Sequence, residues 1–285
     1  MCLDLEGNNM RIIDSEDITR AVKKAAIEAN TILPPDIYRA LREAYNNEEL
    51  PRAKQILEVL LENADLAREE SLALCQDTGL VVVNIMIGQQ VYVEGSLEEA
   101  VNEGIRLGYR EGHFRASVVR HPFLRENTGD NTPCIIHTEL VPGDGMLLTV
   151  FPKGAGSENM GRVAMLKPGA GEQGIIDFVL ETVEIAGGSP CPPLVVGVGV
   201  GGNLEMAPYL AKKALMRPLG VPGPHPELED KLLGLINRTG IGPQGLGGST
   251  TALGVNLEVY PTHIASLPVA INLGCHSTRR CTVRL

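Results

Sequence analysis

The sequence predicts an α+β chain: a helical N-terminal part followed by mixed α/β structure with antiparallel hairpins, in a single compact unit spanning 1–285. Three observations predict it. Apolar side chains in the first 74 residues recur at three- and four-residue steps, the period of an amphipathic helix. From residue 75 onward, short aliphatic runs such as Leu80 to Ile87 are separated by glycine-rich turns, the pattern of strands. No internal repeat or low-complexity linker divides the chain, which is long enough for a sizeable core.

Composition narrows the classes. The chain is 44% hydrophobic with no Trp, so its core is aliphatic. A net charge of −10 argues against general nucleic-acid binding, which rests on neutralising phosphates with Lys and Arg. A small anionic substrate needs only a local basic pocket and stays open. The six cysteines stand at 2, 75, 134, 191, 275 and 281, and none forms a C-x-x-C pair. Met1 to Glu6 has no basic region followed by an apolar one, and no apolar run reaches membrane-spanning length. The expectation is a reduced, cytoplasmic protein with free thiols and no membrane partner.

In order, residues 1–16 read as a ragged start, with Met10 an alternative initiator. Ser15 to Asn30 is predicted helical through Ile18, Ala21, Val22, Ala25 and Ala26, and Pro34-Pro35 breaks it. Helices follow over 36–45 and 50–73. Cys75-Gln76-Asp77-Thr78-Gly79 then sets a thiol, an amide, a carboxylate and a hydroxyl at the mouth of the strand 80–87. Its alternative reading is a buried cysteine before an ordinary turn. Gly88 is expected to turn this strand into a hairpin with Val91-Tyr92-Val93. Ser96 caps a helix over 96–111. A basic stretch follows, Arg110 to Arg125, with Arg115 at an expected strand start; it is either surface compensation or a carboxylate-binding wall. Residues 133–140 and 146–150 are expected to pair as an antiparallel hairpin around Gly143-Asp144-Gly145.

Lys153-Gly154-Ala155-Gly156-Ser157-Glu158-Asn159 leaves that strand. Gly154 and Gly156 permit positive φ and an anion nest of backbone N–H groups. A helix over 175–187 and a rigid loop around Cys191 precede a short buried strand at Leu194-Val195-Val196. The run Gly197-Val198-Gly199-Val200-Gly201-Gly202 is expected to end that strand. It matches G-x-G-x-x-G, but no second strand closing on an acidic ribose ligand follows, so no dinucleotide site is expected. Helices over 204–216 and 227–239, a glycine loop over 240–251 that should wrap something, and strands over 253–260 and 264–271 complete the reading.

Cys75, Cys191 and Cys275 share a context, each in a loop beside an apolar strand. Three thiolates far apart in sequence can converge on an iron–sulfur cluster. A 4Fe–4S cluster held by three cysteines keeps one iron open as a Lewis acid. With an arginine for a carboxylate and an acid such as Asp77, that suffices to add or remove water at a hydroxy acid. A structural metal and three ordinary thiols remain the alternatives.

Several long motifs carry a resemblance: Cys75 to Gly79, Phe114-Arg115-Ala116-Ser117-Val118-Val119, Lys153 to Asn159, Cys191-Pro192-Pro193 with Gly197 to Gly202, Gly240 to Gly248, and Pro261 to Arg280. Together the chain resembles the α subunit of the class I iron–sulfur fumarate hydratases and the related L-tartrate dehydratases, from the first helix onward. The resemblance implies a 4Fe–4S cluster on Cys75, Cys191 and Cys275. It also implies Gln76 and Asp77 beside the substrate with Asp77 in proton transfer, Arg115 on a carboxylate, backbone N–H from Gly154 and Gly156, and a catalytic His263 facing the substrate region. A satisfied core histidine is the alternative for His263.

Ala155 replaces a glycine that many relatives carry, which leaves the nest feasible. Nothing after Arg280 matches the domain that supplies further arginines, a lysine and a threonine in single-chain members. A separate β subunit, in an α2β2 complex, is therefore expected to complete the site. The leading expectation is reversible hydration of fumarate to (S)-malate, with L-tartrate dehydration as the alternative. An iron–sulfur scaffold or redox protein is the rival from another class, and Asp77 with Arg115 argues against it.

Overall fold

The structure is a computed structural model that describes residues 10–285. Cys2, Met1 and the N-terminal residues read for a signal lie outside the described residues. In chain order, the first elements are β1 (Arg11–Asp14), α1 (Ser15–Thr31), α2 (Pro35–Asn47), α3 (Pro51–Glu70), β2 (Leu80–Gly88), β3 (Val91–Glu94) and α4 (Leu97–Glu111). Next come β4 (Ile135–Val141), β5 (Met146–Lys153), the single-turn α5 (Ala155–Glu158), β6 (Arg162–Leu166) and α6 (Gly171–Ala186). The last are β7 (Leu194–Gly202), α7 (Met206–Met216), α8 (Pro226–Asn237), β8 (Ala252–Thr262), β9 (Leu267–Gly274) and β10 (Cys281–Arg284). The α+β class expected from the sequence is the class that forms. Its contacts group into two compact units.

The first unit comprises the described residues up to Ile32, with Ala67–Lys153 and Arg279–Leu285. Its main sheet has the order β10-β5-β2-β4, and β1 pairs with β3 in a separate two-stranded parallel sheet. Helices α1 and α4 pack together and present Ile18, Val22, Val101 and Ile105 to Val81, Val83, Ile85, Leu148 and Val150 of the sheet. Each of these side chains is fully buried, and each contributes roughly 1.5–3 kcal/mol. Asp14 caps α1 by accepting the Glu16 N–H, and Ser96 caps α4 by accepting the Glu99 N–H.

Two expected hairpins do not form. β2 lies between β4 and β5, parallel to the first and antiparallel to the second. The apolar run of β2, broken only by the buried Asn84, suits a central strand, while β4, with Ile135 and Leu140 exposed, takes the edge. Nor does β3 pair with β2. The N–H groups of Gly88, Gln89 and Gln90 donate to the carbonyls of Gly145, Val141 and Gly143, which pins this turn to the β4–β5 connection. The chain then departs to pair with β1, a strand inside the stretch read as ragged.

The second unit comprises Leu33–Leu66 and Gly154–Thr278. Its sheet has the order β6-β9-β7-β8, with only β7 and β8 parallel. Leu194, Val196 and Val198 of β7 face α6 and α8. Gly197 and Gly199 face the other way, under α7. A Cβ on either would lie 2.2 or 2.1 Å from the Ala211 or Ala207 carbonyl oxygen. The glycines expected to end the strand are therefore part of it. They bring a helix into contact with the sheet. Glu48, only 4% exposed, ties the helical segment to the glycine loop by accepting from the Ser249 N–H and hydroxyl at 2.8 and 2.9 Å. Burial alone would raise its carboxyl, but these donors and the Leu50 N–H outweigh it and hold Glu48 below the usual carboxylate range.

Candidate metal centre and active site

Exposure divides the described cysteines. Cys191 is exposed and Cys75 and Cys275 are half-buried, whereas Cys134 and Cys281 are buried. Burial pushes the Cys134 and Cys281 thiols up to about 12, so both stay protonated at neutral pH. A metal takes the thiolate, which leaves Cys75, Cys191 and Cys275 as the accessible soft donors. This donor set fits an iron–sulfur cluster in type. Among the described residues, no group of three or more His, Cys, Asp and Glu side chains is already arranged around a metal position.

In the first unit, the Cys75 loop is held at Asp77, Thr78 and Gly79. Asp77 accepts the Gly79 N–H at 3.0 Å, an Asx turn. Arg279 donates to the Asp77 carbonyl at 2.5 Å and is 2% exposed. Thr78 donates through its hydroxyl to the Arg115 carbonyl at 2.7 Å. Its own carbonyl accepts from the Tyr109 hydroxyl at 2.5 Å. Burial pushes that phenol up to about 12, so it remains a donor. Gly79 adopts φ +76, and a Cβ there would lie 2.6 Å from the Lys153 backbone, so only glycine fits.

Arg115 therefore shares a frame with Gln76 and Asp77, and both Arg115 and Gln76 are exposed. The strand expected over 114–119 is absent. Ser117 N–H donates to the Asn131 side chain at 2.7 Å, and the Asn127 amide donates to the Ala116 carbonyl at 3.0 Å. Side-chain amides replace a strand ladder, and a single bridge joins Val119 to Asn127.

In the second unit, the loops of Cys191 and Cys275 are tied together. The His276 N–H donates to the Cys191 carbonyl at 3.2 Å. Gln244, from the glycine loop, donates to the Pro192 carbonyl through its backbone and side chain at 2.7 and 2.9 Å. Its amide also lies 3.3 Å from His276 Nδ1. The loop expected to wrap something thus wraps the Cys191 turn. Cys275 Sγ lies 3.2 Å from the Ser277 hydroxyl, and its carbonyl accepts from Thr278. Gly154 has φ −68 and neither it nor Gly156 has positive φ, so the expected nest is replaced by the single turn of α5. That turn lies beside the Cys191 loop, since a Cβ on Gly156 would meet the Ser189 carbonyl at 3.7 Å. Glu158, its last residue, is anchored by Lys212 and by the Asn272 amide at 3.1 Å.

A family model described as fumarate hydratase matches residues 19–284. The chain belongs to the fumarate hydratase family. A relative from Methanocaldococcus jannaschii, provisionally named L(+)-tartrate dehydratase subunit alpha, is 44% identical over 90% of this chain and 94% of its own. L(+)-tartrate dehydratase subunits alpha from two Escherichia coli strains, UTI89 and K12, are each 30% identical over 98% of this chain and 94% or 93% of their own. The chain is thus a hydro-lyase of the fumarate hydratase family.

His263 does not join the cysteine end of this fumarate hydratase family chain. Cys191 precedes β7 and Cys275 follows β9, at the end of the sheet where Val195 pairs with Gly274. His263 follows Thr262, which pairs with Gly202 at the other end of β7. The nine residues of β7, eight steps of about 3.3 Å, separate the two ends by roughly 26 Å. His263 is exposed and its Nδ1 accepts the Ala265 N–H at 3.1 Å, so it is no core histidine. Sequence reading gave no role to Thr78, Gln244, Asn131 or Arg279. Thr78 and Gln244 each precede a glycine, which is a weak local signal; Asn131 and Arg279 carry none.

Proposed function

We propose that the chain is the α-type subunit of a two-chain 4Fe–4S hydro-lyase acting on a small dicarboxylate. The observation that carries the reading is the division of the described thiols into three accessible loop cysteines and two buried ones with strongly raised pKa. Cys75, Cys191 and Cys275 would hold the cluster, which when bound would supply a Lewis-acid iron. Arg115 would orient the substrate by a bidentate pair to one carboxylate. The Gln76 amide would bind alongside it, and the Asp77 carboxylate would hold or release the proton that accompanies water. Gly154 and Gly156 would contribute backbone N–H at the α5 turn.

Two substrates compete. Fumarate and (S)-malate are supported by the description of the family model; L-tartrate is supported by the names of the relatives at 44% and 30% identity. Those names, subunit alpha, support a separate β subunit; the resemblance to the family adds α2β2 as the proposed stoichiometry. A cytoplasmic location suits reduced thiols, and no described helix is long and apolar enough to cross a membrane. Anaerobic co-expression with the β-type chain, followed by assay on fumarate, malate and tartrate, tests the reading. Turnover of one of them with an air-sensitive decay is expected. An iron-loaded complex inert to all three would sink the substrate class.

A further inference from the structure

The segment that carries Arg115 continues into a finger closed by the bridge between Val119 and Asn127. Its tip presents Phe123 and Leu124, which are 87% and 77% exposed. These side chains are held out by an ordered turn. The Arg125 N–H donates to the His121 carbonyl at 2.9 Å and the Arg120 N–H to the Glu126 carbonyl at 2.8 Å. His121 Nδ1 accepts the Phe123 and Leu124 N–H groups at 3.3 and 3.4 Å. Burying these two side chains would be favourable, and the fold instead spends hydrogen bonds holding them in solvent. Exposed aromatic and aliphatic anchors of this kind mark protein–protein contacts. Arg120 and Arg125 flank them against one carboxylate, Glu126, in a chain of net charge −10, so the finger carries a net positive charge around an apolar tip.

We propose that this finger is the docking element for the β-type subunit, seated in an apolar socket with an acidic rim. The inference rests on the two-chain hydro-lyase reading. What favours that occupant is continuity with the proposed substrate site. The finger's base is hydrogen-bonded to the Arg115 segment through Thr128 N–H to the Val118 carbonyl at 2.9 Å and through Asn127 to Ala116. Arg115 is in turn latched to Thr78, next to Asp77. A chain that completes the substrate site beside Arg115 therefore meets the finger as it docks. A basic, apolar-tipped contact also explains an arginine pair at a place where no described acidic side chain forms an ion pair with it.

The test is made on the co-expressed complex. A photocrosslinker, p-benzoylphenylalanine, placed at position 123 should capture the β-type chain, read by mass spectrometry. The double variant Phe123→Ser/Leu124→Ser should weaken α–β association at least about tenfold, while the iron bound by complex recovered at high concentration stays unchanged. Arg120→Glu/Arg125→Glu should slow association and reverse its dependence on salt, which separates the rim from any folding defect of the tip variant. Crosslinks to a second α chain, no crosslink, or wild-type affinity in both double variants would overturn the docking assignment while the hydro-lyase reading stood. Failure of the wild-type chains to associate at all would overturn both, and is distinguished by the wild-type control.

Discussion

Replacing Thr78 by Val removes one hydroxyl from a side chain that is 1% exposed and changes its volume little. The lost bond is the 2.7 Å donation to the Arg115 carbonyl. A net hydrogen bond is worth about 1 kcal/mol, and leaving its buried acceptor unpaired raises the cost to about 1–3 kcal/mol. Arg115 is exposed, so water can reach the abandoned carbonyl and the lower half of that range applies. For a unit of this size, such a loss lowers the melting temperature by roughly 2–5 °C. The larger effect should fall on function. Without the latch the Arg115 segment keeps its bonds to Asn127, Thr128 and Asn131 but loses its side-chain tie to the Asp77 loop, and a carboxylate-binding guanidinium that must first be positioned binds more weakly. Steady-state kinetics of the anaerobic αβ complex should show KM for the dicarboxylate raised about 3- to 10-fold with iron content unchanged. Thr78→Ser, which keeps the hydroxyl, should restore most of it. If Thr78→Val leaves both melting temperature and KM at wild-type values, the latch does not hold Arg115 and the shared frame for Asp77 and Arg115 is wrong.

Gly199→Ala would place a Cβ 2.1 Å from the Ala207 carbonyl oxygen. Displacing α7 should cost about 2–3 kcal/mol, and a denaturation midpoint equal to wild type would refute the close packing. Asp130 makes stability depend on pH. Burial pushes its carboxyl up, but hydrogen bonds from Arg106 and from the Thr132 N–H and hydroxyl outweigh this and bring it down to about 2, from 3.8. The folded value is depressed, so the stabilisation is full above about pH 4 and is lost as pH falls towards 2. After allowance for a side chain 29% exposed, about 1–2 kcal/mol should vanish over that window. Asp130→Asn should flatten the dependence, and an unchanged acid profile would contradict it. In apo protein prepared under reducing conditions, a maleimide should label Cys75, Cys191 and Cys275 well before Cys134 and Cys281; equal rates would contradict the division of the thiols.

Much of the fold was legible because it depends on local pattern. Helices α1, α4, α6 and α8 follow their apolar periodicity to within a few residues, and the Ser96 cap is where a short hydroxyl should be. Pairing was not legible. Nothing local in residues 135–150 says that a strand from 55 residues earlier will separate them, nor that Val91–Glu94 will join Arg11–Asp14. The glycines of β7 mislead for the same reason: whether a glycine ends a strand or admits a helix depends on what packs above it. The candidate ligands stood out because thiols in glycine- and proline-rich loops are chemically conspicuous. The residues that hold them, Thr78, Gln244 and Arg279, act through backbone carbonyls of distant segments and leave no such mark.

The central claim is that Cys75, Cys191 and Cys275 hold the cluster and Cys134 and Cys281 do not. Iron and sulfide per α chain, measured on the anaerobically reconstituted αβ complex with each cysteine changed to Ser in turn, tests it directly. The expected result is about four irons in the wild type, Cys134→Ser and Cys281→Ser, and loss of most iron in Cys75→Ser, Cys191→Ser and Cys275→Ser. Full iron in any of the last three, or loss confined to the buried pair, would contradict it.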